Sequence, residues 1–142
     1  MKIYAFEVRD DEREYFEELS EIPEIELELH PEGLTRTSIS ELEPGCGVTV
    51  LGMYNYRRPE LDMMKNQGVI GLSTRTIGYN HIDIDYARRI GLHVCNACYD
   101  PHGVADYTIM MILLCLRNYK QALWRTQVND FSLTGLMGRE LK

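Results

Sequence analysis

The chain has 142 residues, a net charge of −7, 44% hydrophobic residues and 26% charged residues. This length and composition are typical of a globular domain with a hydrophobic core. The negative charge is concentrated in residues 1–45, which carry 14 acidic and 4 basic side chains. Nucleic-acid binding needs clustered Lys and Arg, so this distribution argues against that class of partner and favours a solvated acidic face.

The chain begins with an apolar run over residues 2–8, which predicts a buried strand rather than a signal peptide. The longest uncharged apolar run covers residues 107–116, well short of the roughly 20 residues that a membrane-spanning helix needs. Four cysteines without a secretory signal favour reduced thiols. We therefore expect a cytoplasmic protein that makes no membrane contact.

Strand and helix patterns alternate over the first hundred residues. Strands are predicted over residues 2–8, 25–30, 47–53, 69–74 and 92–96. Helices are predicted over residues 10–22, 38–42, 60–67 and 81–91. Asp10 or Asp11 is placed to cap the first of these helices. Such alternation predicts an α/β fold, a flavodoxin-like, doubly wound and mainly parallel five-stranded sheet with ligands outside the carboxyl ends of its strands.

After Tyr99 the pattern changes to that of a long helix. Asp100 and Pro101 favour a helix start, the Asp as a cap and the Pro at the first helical position, where its missing N–H costs nothing. One helix of about 25 residues is predicted over 101–128 and is apolar almost all round from residue 104 to residue 116. The five strands cannot bury all of this surface, so we expect another domain or subunit to cover it.

The segment STRTIGYN, residues 73–80, places Ile77 and Gly78 just past the end of a predicted strand. A glycine at that position allows a tight turn, and consecutive N–H groups in such a turn form an anion-binding concavity. A functional interpretation is that the Ile77 and Gly78 amides hold a substrate carboxylate. An ordinary strand-to-helix turn is the alternative that the spacing alone leaves open.

Two other patterns are compatible with a chemical role. His93, Cys95, Cys98 and His102 are four possible zinc ligands within ten residues, but structural zinc sites usually draw their ligands from two separated knuckles. We therefore favour a strand cysteine, a loop cysteine and two surface histidines, and we predict no metal site. His81 is a candidate general base, although a polar role at the start of a helix is the simpler interpretation.

The stretch from residue 73 to residue 120 resembles the middle of the D-2-hydroxyacid dehydrogenases. It is close to the D-lactate dehydrogenase branch that includes the vancomycin-resistance enzymes. The resemblance covers essentially the whole chain and is weakest before Gly47. It is carried by Arg75, Ile77, Gly78 and Asn80 in the turn, by Tyr99, by Val104-Ala105-Asp106-Tyr107, and by the run SLTGLMGRELK over residues 132–142.

The resemblance implies that the chain contributes to the binding of a small 2-oxo or 2-hydroxy acid. In the family the turn that matches Arg75, Ile77, Gly78 and Asn80 holds the substrate carboxylate. Tyr99 matches a tyrosine beside the substrate in the D-lactate branch. The sequence departs from several D-lactate dehydrogenases at Leu51, where they have a tyrosine, and this alters the expected substrate preference.

The resemblance also divides the chain into a substrate-side domain, residues 1–100, and an interface helix with a lead-in to a nucleotide-binding domain, residues 101–142. The family's catalytic Arg, Glu and His lie further downstream, and no GxGxxG occurs in this sequence. We therefore expect NAD to serve the complete enzyme, with no catalytic or cofactor-binding residue and no turnover in this chain alone. A homodimer through the helix 101–128 is expected, and a non-enzymatic dimerising module is the alternative function.

Overall fold

The structure, a computed structural model, describes residues 1–141. Lys142, the last residue of the predicted second segment, lies outside the described residues. The chain forms two compact units, one over residues 1–98 and one from Tyr99 onward. Each unit is described by itself.

The first unit is built on a five-stranded sheet in which every neighbouring pair is parallel. The strand order is β2-β1-β3-β4-β5, which confirms the predicted flavodoxin-like sheet. The strands are β1 (Lys2–Ala5), β2 (Glu26–Leu29), β3 (Gly47–Val50), β4 (Gly71–Thr74) and β5 (His93–Asn96).

The strands are shorter than predicted: β1 and β3 end earlier, β4 and β5 begin later, and β2 loses one residue at each end. β1 stops at Ala5, although the amides of Phe6 and Val8 still donate to Thr49 O (2.9 Å) and His30 O (3.0 Å). Between them Glu7 has a φ of 59°, in the left-handed region that β conformation excludes. A single left-handed residue therefore ends the regular strand inside an apolar run.

Helices cover both faces of this sheet. A 3-10 turn (Asp10–Glu12) leads into α1 (Arg13–Ser20), and the chain continues through α2 (Arg36–Ser40), α3 (Arg58–Asn66) and α4 (Ile84–Arg89). Phe16 of α1 packs with Ala5 and Val8 in a small cluster, whereas Leu61 and Ala87 of α3 and α4 belong to the main core.

The predicted start of the first helix is wrong in one respect. Asp10 and Asp11 lie inside the 3-10 turn, and neither caps it through its side chain. Glu12 does this instead, because one of its carboxylate oxygens accepts from the Arg9 N–H at 3.1 Å. The helix predicted over 81–91 also starts later, at Ile84, so that His81 precedes it.

In the second unit the prediction of a single helix over residues 101–128 is wrong. Two helices, α5 (His102–Leu116) and α6 (Tyr119–Gln127), are separated at Asn118, which has a φ of 50°. A left-handed Asn terminates an α-helix in the way that glycine commonly does. Asp100 accepts a hydrogen bond from the His102 N–H at 3.1 Å, and Pro101 lies one position earlier than expected, at the cap. Over residues 1–141 no helix combines the length and the apolar character that crossing a membrane requires.

Candidate functional site at the carboxyl edge of the sheet

The candidate site lies where three parallel strands end side by side. Val50 of β3 pairs in register with Thr74 of β4, so that the residues after them leave the sheet at the same edge. Glu7 leaves β1 at this edge as well. In a sheet of this order the connection reverses between β1 and β3, and ligands bind in the crevice outside the carboxyl ends at that point.

The turn after β4 presents free N–H groups, and two of its carbonyl oxygens accept hydrogen bonds from side chains. The Thr76 hydroxyl donates to Gly78 O at 2.7 Å, and the Asn96 side-chain amide donates to Ile77 O at 2.9 Å. Within residues 1–141 the N–H groups of Ile77 and Gly78 have no acceptor, and the same holds for the other amides of residues 76–81. Ile77 is 41% exposed, and a Cβ at Gly78 would meet nothing within 4 Å. Two adjacent donors in open space are suited to bind an oxyanion.

The role of Gly78 differs from the one that the sequence indicated. Its backbone does not lie in the left-handed region that would require glycine for the turn. A Cβ at this position would contact nothing within 4 Å, so neither the backbone angle nor the packing requires a glycine here.

A directed chain of hydrogen bonds supports this turn from His81. A carbonyl oxygen can only accept a hydrogen bond, so the Thr76 hydroxyl uses its single proton to donate to Gly78 O. Thr76 Oγ1 must then accept from the Thr74 hydroxyl (2.8 Å), and Thr74 Oγ1 must accept from His81 Nε2 (3.1 Å). This order assigns the proton of a neutral His81 to Nε2. Burial lowers the pKa of His81, with the carboxylate of Glu7 acting in the opposite direction, and this favours the neutral ring.

Arg75 acts as a structural clamp beside the turn. Its guanidinium donates to the main-chain oxygens of Phe6 (2.9 Å) and Glu7 (3.0 Å) and to the Glu12 carboxylate at 3.2 Å. Burial raises the pKa of Glu12, but hydrogen bonds from Arg75 and the Arg9 N–H outweigh it and hold that pKa below its usual value. Two of the three guanidinium nitrogens are thus engaged, and the third, Nη1, is buried without a partner among residues 1–141. The clamp fixes the start of the turn to the loop after β1.

Glu7 is the functional candidate that the sequence did not reveal. Its side chain is buried, at 5% exposure, and one carboxylate oxygen accepts from the N–H groups of Leu51 and Gly52, the latter at 2.8 Å. The other oxygen, Oε1, is buried and has no partner within the described chain. Gly52 has a φ of 99°, and a Cβ there would lie 2.9 Å from the His81 ring, so only glycine brings this amide to Glu7. The available signal was a charged residue inside a buried apolar run.

The remaining predicted site residues have different surroundings. Asn80 lies on the same turn as Ile77 and Gly78, and its main-chain oxygen accepts from Arg57 at 3.1 Å. Tyr99 is 55% exposed and opens the second unit. Four of the predicted residues therefore lie on one turn: Arg75, Ile77, Gly78 and Asn80.

Within residues 1–141 the possible zinc ligands do not form a metal site, and the glycines near the end of the chain do not lie between a strand and a helix. Among residues 1–141 no three His, Cys, Asp or Glu side chains are arranged to hold a metal ion. A dinucleotide loop requires glycines between a strand and a helix. Gly135 and Gly138 instead lie in irregular chain after α6.

The second unit carries a largely exposed apolar surface. On α5, Val104, Tyr107 and Ile109 are at least half exposed, and on α6 Trp124 is 61% exposed. A groove of about 650 Å³ runs between the two helices, and its lining includes Met111, Leu114, Cys115, Asn118 and Trp124. Apolar patches of this kind mark interaction surfaces in soluble proteins.

Comparison with known proteins identifies relatives of one kind. The profile of the family described as D-isomer specific 2-hydroxyacid dehydrogenase, catalytic domain, matches residues 3–135. An aromatic 2-oxoacid reductase of Clostridium sporogenes is 37% identical over 144 aligned residues, which cover 100% of this chain and 43% of that protein. The D-lactate dehydrogenase of Leuconostoc mesenteroides subsp. cremoris is 31% identical and is covered to 44%.

The solved structures agree with these relatives. The apo-structure of D-lactate dehydrogenase from Escherichia coli superposes with a TM-score of 0.75 at 31% identity. The match covers 98% of this chain and 44% of that one. The chain thus spans less than half the length of the relatives that it matches.

Proposed function

The chain belongs to the D-isomer specific 2-hydroxyacid dehydrogenase family, and we propose that it forms the substrate-side part of such an enzyme. The complete enzyme would use NAD to reduce a small 2-oxo acid to the D-2-hydroxy acid, most simply pyruvate to D-lactate. The observation that carries the proposal is the pair of free amides on Ile77 and Gly78, at the edge of the sheet where this fold binds ligands.

In this proposal each residue of the turn has a separate task. The Ile77 and Gly78 N–H groups donate to the substrate carboxylate, and the Thr76 hydroxyl keeps them oriented by holding Gly78 O. Arg75 holds the turn against the loop after β1. Asn80 is proposed to contribute to substrate binding, by its match to the family's turn.

Tyr99 is proposed to flank the substrate, by its match to the D-lactate branch. The cofactor and the groups that polarise the substrate carbonyl and donate a proton are assigned to parts of the enzyme other than this chain. The four cysteines form no disulfide within the described residues, which supports a cytoplasmic location as part of the proposal. Reading the source gene beyond codon 142 for an apolar strand followed by GxGxxG tests whether the chain belongs to a longer enzyme.

Carboxylate binding can be measured on this chain by titrating the ¹⁵N-labelled protein with pyruvate. We expect the amide resonances of Ile77 and Gly78 to shift in a saturable way. Ile77→Pro removes one donor and should abolish the shift at Gly78, whereas Ile77→Ala retains the N–H and should preserve it. Pyruvamide, which lacks the carboxylate, is the matched ligand control. Equal binding of pyruvate and pyruvamide would contradict the proposal.

A second candidate function is a non-enzymatic module that dimerises through α5 and α6. The exposed apolar surface of these helices favours it. The titration separates the two functions, since a module that only dimerises has no reason to bind pyruvate at Ile77 and Gly78.

A further inference from the structure

The carboxyl edge of the sheet holds a second pair of main-chain donors, and it is already occupied. The N–H groups of Leu51 and Gly52 both donate to a single oxygen of Glu7. The protein thus places its own carboxylate on one amide pair and leaves the other, on Ile77 and Gly78, free.

The two amide pairs lie on neighbouring strand ends. Val50 pairs with Thr74, so Leu51 and Gly52 leave β3 beside the point where the turn to Gly78 leaves β4. Parallel strands are roughly 5 Å apart, so the two loops that carry the amide pairs leave the sheet as neighbours. A 2-oxo acid bound at the free pair is taken to extend toward the neighbouring loop, which already holds a carboxylate.

The backbone of Glu7 is held in an unfavourable conformation to reach this position. Its φ of 59° is uncommon for a residue with a side chain, and such outliers concentrate at functional sites. The N–H of Glu7 donates to Glu32 O at 2.8 Å, and its carbonyl accepts from Arg75 at 3.0 Å. These contacts fix the main chain so that the carboxylate reaches Leu51 and Gly52.

We infer that Glu7 is a specificity-determining residue that excludes 2-oxo acids with a second carboxylate. This inference rests on the proposed function. The Glu7 carboxylate fills the Leu51–Gly52 amide pair, so a second substrate carboxylate finds its donors taken and meets a like charge. Within residues 1–141 Glu7 forms no salt bridge, and the guanidinium of Arg75 is directed to Glu12 and to main-chain oxygens. The carboxylate is therefore held by main-chain amides, and the contact with Arg75 is made by the main-chain oxygen of Glu7.

The unpartnered oxygen strengthens this discrimination. Glu7 Oε1 is buried and accepts no hydrogen bond from the described chain. A carboxylate in the protein interior, where the dielectric constant is low, repels another anion more strongly than a carboxylate at the surface does. Uncharged substrate side chains, aliphatic or aromatic, do not experience this repulsion.

The test compares pyruvate with 2-oxoglutarate, using the amide shifts of Ile77 and Gly78 in the 142-residue protein to obtain two apparent Kd values. We expect 2-oxoglutarate to bind more weakly than pyruvate. Glu7→Gln, which keeps the shape and removes the charge, should improve the 2-oxoglutarate to pyruvate ratio by about tenfold. Glu7→Gly should act in the same direction and should fold readily, because glycine adopts positive φ without strain. Glu17→Gln on the exposed face of α1 removes the same charge at a distance and should leave the ratio unchanged.

The outcomes distinguish a failure of the role of Glu7 from a failure of the proposed function. An unchanged ratio in both Glu7 variants, with pyruvate binding intact, would overturn the role of Glu7 and leave the proposed function standing. No pyruvate shift in the unsubstituted protein would overturn the proposed function and this inference together. A tenfold change in Glu17→Gln as well would reduce the effect to net charge and refute the specific role of Glu7.

Discussion

At the scale of single residues, His81 supports the turn after β4 through a chain of hydrogen bonds. Its Nε2 donates to Thr74, and the chain of hydroxyls ends at the carbonyl of Gly78. The imidazole is therefore a positioning group for the two free amides. This role follows from the fixed direction of the hydrogen bonds, since each hydroxyl has a single proton.

The lowered pKa of His81 makes stability depend on pH. Its folded-state pKa lies below the ordinary value of 6.5, so the unfolded chain takes up the proton first as the pH falls. The contribution of His81 is complete above that ordinary value and is lost as the pH falls below it. We expect the free energy of unfolding, measured with urea, to decrease between about pH 7.5 and about pH 5.5. His81→Gln, which retains a donor, should show a smaller decrease, and an identical decrease in both proteins would contradict the assignment.

The residue that matters most for specificity could not be predicted from the sequence. Glu7 contacts Leu51 and Gly52, which are 44 and 45 positions away, and only the fold brings them together. The place of Ile77 and Gly78 just after a strand was predictable from the local pattern, and their role in carboxylate binding stays a prediction. Long-range polar contacts leave no periodic signal in the chain.

At the scale of elements, the break between α5 and α6 depends on one residue. Asn118 adopts the left-handed conformation, and its side-chain amide donates to Met137 O at 3.0 Å. Asn118→Gly and Asn118→Ala both remove that hydrogen bond, but only alanine opposes the positive φ. We expect the alanine variant to be less stable than the glycine variant by about 1 kcal/mol. Urea unfolding followed by fluorescence of the single tryptophan, Trp124, measures the difference, and equal stabilities would show that the break does not depend on φ at this position.

The elements also show which patterns in the sequence were informative. The strands β1, β3 and β4 were predicted because buried parallel strands are mainly apolar runs between helical segments. The edge strand β2 was predicted from its alternation of acidic and apolar residues. The break at Asn118 was missed because residues 104–128 contain no Gly or Pro to mark a helix end. The only local signal was the change from the apolar residues of α5 to the mainly polar residues of α6.

At the scale of the whole molecule, the apolar surface of α5 and α6 predicts self-association. Ile109 is 50% exposed and Trp124 is 61% exposed, and burying side chains of this kind against a second copy contributes about 25 cal/mol per Å² of apolar area. We expect light scattering at micromolar concentration to detect a dimer or a larger species. Ile112→Glu places a charge on this surface and should shift the protein toward monomer, whereas Gln127→Glu at the end of α6 adds the same charge and should not. A monomer in the unsubstituted protein would mean that the surface is covered by some other partner, and the dimer would have to be abandoned.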